Sequence, residues 1–68
     1  MPHIALNMYP GRTEEVKRDL AEKIRNFAAK EMNIGKEHFT VTIKEIPAEH
    51  WKEELSKIPA EEIYFEGK

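Results

Sequence analysis

Apolar and polar positions alternate along the first stretch of the chain. Ile4, Leu6 and Met8 fall on one side of an extended backbone, and His3, Ala5, Asn7 and Tyr9 on the other. That period predicts a β-strand over His3–Tyr9. Pro10-Gly11 interrupts it. The period then changes to three and four: Val16, Leu20, Ile24, Phe27, Ala28 and Met32 form one stripe, which predicts an amphipathic helix from Glu14 to about Met32. Thr13 supplies an N-cap hydroxyl, and Glu14 and Glu15 suit the positive end of the helix dipole. Glu14–Arg18 and Asp19–Lys23 are spaced for i,i+4 pairing on the charged face. Asn33 or Gly35 can take the left-handed conformation that ends the helix.

Alternation returns over Phe39–Ile46, where Phe39, Val41 and Ile43 oppose Thr40, Thr42 and Lys44, and the β-branched content supports a second strand. Pro47 stops it. A short helix is predicted over Glu49–Lys57, with Trp51, Leu55 and Ile58 on one stripe. Pro59 ends that helix, and the apolar tail Ile63-Tyr64-Phe65 is too short to assign. No repeat, linker or low-complexity segment is present.

Strand, long helix, strand makes a βαβ unit, whose connection is long enough for a parallel, right-handed pair. The fold class is therefore α/β, a small βαβ unit with a short C-terminal helix. Two strands under one helix leave a sheet face and both edges bare, so a second copy is expected to complete a four-stranded sheet covered by two helices. Ala5, Asn7 and Tyr9 would then be interface or site positions.

Composition sharpens this reading. The chain has 68 residues and one expected domain, 1–68. A domain of this size buries only about 60% of its unfolded surface and is marginal by itself. Cysteine is absent, which removes disulfides and thiolate metal sites, and His3, His38 and His50 lack metal-motif spacing. No metal or cofactor is expected, and a homo-oligomer, a dimer or a higher assembly, is the remaining source of stability. Net charge is −2 with both signs interleaved, unlike a nucleic-acid footprint. No apolar run is long enough to span a membrane. The N-terminus lacks the basic and apolar regions of a secretory signal, so a cytoplasmic protein is expected.

Chemistry centres on Pro2. Proline is tolerated at the start of a strand, but with Met1 removed its nitrogen becomes a free secondary amine. Such an amine serves as a base near neutral pH if an apolar pocket and a nearby cation lower its pKa. Arg12, in the turn that opens the helix, is the available cation and can hold a carboxylate through two hydrogen bonds. Taken singly, Arg12 also reads as a solvated charge and Trp51 as a core residue. Their joint arrangement carries the argument.

That arrangement resembles the tautomerase superfamily, the small βαβ enzymes typified by 4-oxalocrotonate tautomerase. The resemblance covers roughly Pro2 to Trp51. It rests on Pro-His-Ile at residues 2–4, Gly11-Arg12 followed by Thr13-Glu14-Glu15, the helix phase, and Lys44-Glu45-Ile46 leading to Glu49-His50-Trp51. It implies Pro2 as the general base of a keto–enol tautomerase, Arg12 as the group binding a substrate carboxylate, and Trp51 as a pocket wall. Tyr9 is expected to help exclude water, contributed by a neighbouring chain. Two departures stand out. The second arginine of well-known members falls at Thr40, and Lys52-Glu53-Glu54-Leu55 replaces a glycine-rich terminal segment. Both point toward the dimeric, phenylpyruvate tautomerase-like branch. The implied substrates are small 2-oxo or enol acids with one carboxylate and an apolar tail. The alternative is a non-catalytic βαβ module that binds a small molecule or supports assembly; Thr40 favours it, whereas Pro2 and Arg12 favour the enzyme.

Overall fold

A computed structural model gives the fold and describes residues 1–67. The element order is β1 (His3–Met8), α1 (Glu14–Met32), a 3-10 turn at Lys36–His38, β2 (Thr40–Glu45), α2 (Ala48–Leu55) and a second 3-10 turn at Ala60–Glu62. The two strands pair in parallel, with His3 opposite Thr40, Leu6 opposite Ile43 and Met8 opposite Glu45. One further hydrogen bond closes the ladder at each end: Thr40 N–H donates to the Pro2 carbonyl (3.1 Å), and Ile46 N–H donates to that of Met8 (2.8 Å).

The expected α/β architecture is therefore present, with small shifts at the boundaries. β1 stops one residue early, because Pro10 has no amide to extend a ladder and holds Tyr9 in an extended conformation. β2 starts one residue late: the Phe39 amide donates to the Lys36 carbonyl and closes the 3-10 turn instead. α2 runs over Ala48–Leu55, starting directly after Pro47 and leaving Lys57 and Ile58 in the turn that follows. Neither 3-10 turn has a periodic sequence signature.

The caps explain the length of α1. The Thr13 hydroxyl accepts a hydrogen bond from Val16 N–H at 3.2 Å, which satisfies one of the orphan donors of the first turn. Asn33, not Gly35, takes the left-handed conformation (φ 55°) at the other end. Its short side chain tolerates a geometry that branched residues avoid. Between β1 and α1, Gly11 adopts φ 131°, a region that a Cβ would strain even with open space around it. This turn fixes where Arg12 leaves the sheet.

Packing is thin. Ile4, Leu6 and Met8 are half-buried, as are Val41 and Ile43 of β2 on the same sheet face, while the intervening residues are exposed. α1 packs against β2. Its apolar stripe is wider than the sheet beneath it. Leu20, Ile24 and Ala28 are covered, but Phe27 and Met32 remain 68% and 53% exposed, and Ala29 rather than either of them is buried. Ala29 and Ile46 are the fully buried apolar residues among those described. The body is a slab of 36 × 32 × 19 Å with a radius of gyration of 13.4 Å, against about 11 Å for a compact chain of this length. No helix among the described residues is long and apolar enough to cross a membrane.

Lysine clamps tie the layers together at the carboxyl end of the sheet. Lys17 Nζ pairs with Glu14 (2.9 Å) and with Glu45 at the end of β2 (3.2 Å). Glu14 thus pairs one turn closer than the Arg18 spacing suggested, whereas Asp19–Lys23 forms as expected at 2.8 Å. On the other side, Glu54 of α2 meets Lys44 of β2 at 3.8 Å and Lys57 at 3.4 Å. The hydrogen bond from Lys17 holds the Glu14 carboxyl below its ordinary value of 4.5, with the positive charge adding to the effect. Lys17 in turn is raised, first by Glu14 and then by Glu45. A lowered carboxyl stabilises the fold above its ordinary pKa and loses that contribution as pH falls through the folded value. Thermal melts of Lys17→Met should therefore lie below the parent at neutral pH, with the gap narrowing as pH drops below 4.5. A gap that stays constant down to pH ~3 would remove the clamp from the stability balance.

Candidate active site

Parallel pairing decides which loops meet. Both strands end at the same edge of the sheet, so the turn after β1 and the segment after β2 emerge side by side. This is the edge at which open α/β sheets place ligands. From the first turn come Tyr9 and Arg12, and from the second comes Trp51 on the first full turn of α2. Tyr9 and Trp51 meet edge to face, with ring centroids 4.8 Å apart and planes at 73°. Such a pair is worth roughly 0.5–1.5 kcal/mol beyond its buried area. Both rings come from one chain, so the contact needs no neighbour to supply Tyr9.

Arg12, Tyr9 and Trp51 line a single open cleft of about 740 Å³. Asn7 and Met8 continue the wall along β1, and Leu55 continues it along α2. Asn7 is two residues from Tyr9 on the same strand face, and Leu55 is four residues from Trp51 on the same helix stripe. Both spacings are readable in the sequence. The remaining lining residues, Glu66 and Gly67, come from the C-terminal tail, and no periodicity marks them. Arg12 and Glu66 are the charged groups among the described lining residues. One cation and one anion thus face a wall that is otherwise aromatic, aliphatic or amide.

Pro2 stands elsewhere. It precedes β1 at the opposite end of the sheet, half-buried, with its carbonyl bonded by the Thr40 amide. Seven residue steps separate it from Tyr9, about 23 Å of extended chain. Within one chain, the proline and the arginine are not brought together. With Met1 attached the Pro2 nitrogen is an amide, which carries no basic lone pair. Thr40 sits beside Pro2 through the ladder, so the position of the absent second arginine belongs to the proline end of the sheet and not to the cleft.

His3, His38 and His50 are exposed. Among the described residues, no cluster of histidine, cysteine, aspartate or glutamate could hold a metal ion.

Comparison with known proteins gives this geometry its context. Residues 2–54 match the family model described as "Tautomerase enzyme". The chain is 35% identical over 51 residues to a Bacillus cereus protein named "Probable tautomerase", covering 75% of this chain and 84% of that one. It is 33% identical over 51 residues to the "2-hydroxymuconate tautomerase" of Bacillus subtilis, covering 75% and 82%. The matched region runs from Pro2 through both strands and α1 to Glu54, and so includes the whole βαβ unit and Trp51. The matches decide for an isomerase over a non-catalytic binding module: the chain belongs to the tautomerase family.

Proposed function

We propose that this enzyme interconverts the enol and keto forms of small 2-oxo acids, with Pro2, freed of Met1, as the general base. The observation that carries the reading is the cleft itself, where Arg12 lies beside the edge-to-face Tyr9–Trp51 pair. A guanidinium accepts a carboxylate in a planar, two-bond geometry. The aromatic wall suits an apolar or aromatic substrate tail and excludes water from the reacting atoms.

In this reading the amine of Pro2 takes the proton from the enol hydroxyl, and the resulting ammonium returns a proton to the neighbouring carbon. The carbon–carbon double bond becomes a carbonyl, and the base ends unprotonated. Arg12 holds the carboxylate and thereby fixes which carbon faces the nitrogen. Desolvation by the aromatic wall and the charge of Arg12 both disfavour the ammonium, so both lower the amine's pKa toward the working range.

Because Pro2 and Arg12 lie at opposite ends of β1, a working site takes its base from one copy and its carboxylate anchor from another. The thin core, the exposed Phe27 and Met32 and the free strand edges favour the same assembly. The B. subtilis relative's name points to a substrate with two carboxylates. Here Thr40, uncharged, stands near the proline, and the described cleft offers one cation, which favours monocarboxylates.

Three outcomes follow. Protein whose mass shows Met1 removed should ketonise phenylenolpyruvate with a rate that rises with pH as the amine loses its proton, while protein retaining Met1 should be almost inactive. Full activity with Met1 attached overturns the proline base. Arg12→Ala should raise KM roughly ten- to a hundredfold, the usual cost of losing a charge-assisted hydrogen bond; unchanged kinetics remove Arg12 from the site. Light scattering at micromolar concentration should show an assembly of at least two chains, and a stable, active monomer would rule out a shared site.

A further inference from the structure

The C-terminal tail lies beyond the family match, which ends at residue 54, yet it returns to the cleft. Its path is fixed by local hydrogen bonds. Ser56, which caps α2, donates its hydroxyl to the Glu53 carbonyl at 2.6 Å. Ile58 N–H donates to the Leu55 carbonyl at 3.1 Å. Pro59 then opens the second 3-10 turn, closed by Glu62 N–H to the Pro59 carbonyl (2.9 Å) and Ile63 N–H to that of Ala60 (3.1 Å). Two tight turns in succession reverse the chain, so that Glu66 faces the cleft shared by Tyr9, Arg12, Trp51 and Leu55.

We infer that Glu66 is a specificity-determining residue that selects substrates carrying one carboxylate. The inference rests on the reading of Arg12 as the carboxylate anchor. With one anionic end on Arg12, the other end of the substrate lies along the Tyr9–Trp51–Leu55 wall toward the tail. An apolar or aromatic end leaves Glu66 solvated and undisturbed. A second carboxylate meets the Glu66 carboxylate in a partly desolvated cleft, where like charges repel more strongly than in bulk water. Rejection by an opposing charge is a common route to specificity, and it acts on the unwanted ligand while leaving the wanted one almost untouched. Glu66 itself is exposed and takes no part in the hydrogen bonds that hold the tail, so its substitution leaves the fold intact.

Trp51 is the only tryptophan in the chain and forms part of the cleft wall, so its fluorescence reports binding without any need for turnover. The probes are phenylacetate, a monoanion, and muconate, a dianion, titrated into the parent, Glu66→Gln and Glu66→Lys. Muconate should bind about three- to tenfold tighter to Glu66→Gln and tighter still to Glu66→Lys, with phenylacetate changing less than about twofold. Dissociation constants that move in parallel for the two probes, that do not move at all, or that show no binding of either probe overturn the inference. Phenylenolpyruvate turnover is measured on the same preparations, freed of Met1. Tight binding without turnover sinks the proline base and leaves the binding result for Glu66 standing.

Discussion

The parallel ladder between β1 and β2 is the constraint on which the rest of the molecule depends. Antiparallel strands could be joined by a tight turn; parallel ones require a crossover, here supplied by α1. Pairing in this direction also puts both strand exits on one edge of the sheet. Tyr9, Arg12 and Trp51 come together for that reason, although some 40 residues separate the first from the last. The same geometry sends Pro2 and Thr40 to the other edge. A single chain thus holds two half-sites, one basic once its nitrogen is free and one that binds an anion.

Thin packing and divided chemistry have the same origin. A two-stranded sheet under one helix cannot enclose a core, and the slab shape with two fully buried apolar residues shows it. Such a protomer is stabilised by ion pairs at its rim, where Lys17 ties α1 to β2 and Glu54 ties α2 to β2. Exposed pairs of this kind contribute little each, with a median below about 1 kcal/mol. Apolar burial against another copy is the larger available source, and a shared active site would link catalysis to that burial.

The cleft differs from its sequence-level picture in one respect that bears on substrate choice. The resemblance to tautomerases directs attention to arginines and to the position now held by Thr40. The structure adds an acidic residue from a segment outside the family match. Substitution at one position and recruitment of a tail carboxylate at another act in the same direction, toward a cleft with little net charge. A wall of Tyr9, Trp51 and Leu55 then has more influence over the substrate's far end than any ion pair.

How much of this was legible in the sequence depends on the range of the interactions. Alternation over Ile4, Leu6 and Met8, the stripe from Val16 to Ala28, the Thr13 cap and the Pro47 stop are consequences of local sterics and local hydrogen bonds, and they set the order and type of the main elements. Pro2, Arg12 and Trp51 could be singled out as chemistry-bearing residues because their residue types and surroundings resemble a known family. Tertiary structure decided what local patterns do not encode. Phe27 and Met32 lie on the apolar stripe but outside the sheet's footprint, which is only two strands wide. Asn33 took the left-handed cap, although Gly35 is the residue with no Cβ to oppose it. Tyr9 met Trp51 within its own chain, since strand direction, a property of the paired strands together, placed both at one edge. Glu66 reached the cleft through two non-periodic turns, whose outcome depends on where α2 points once it has packed.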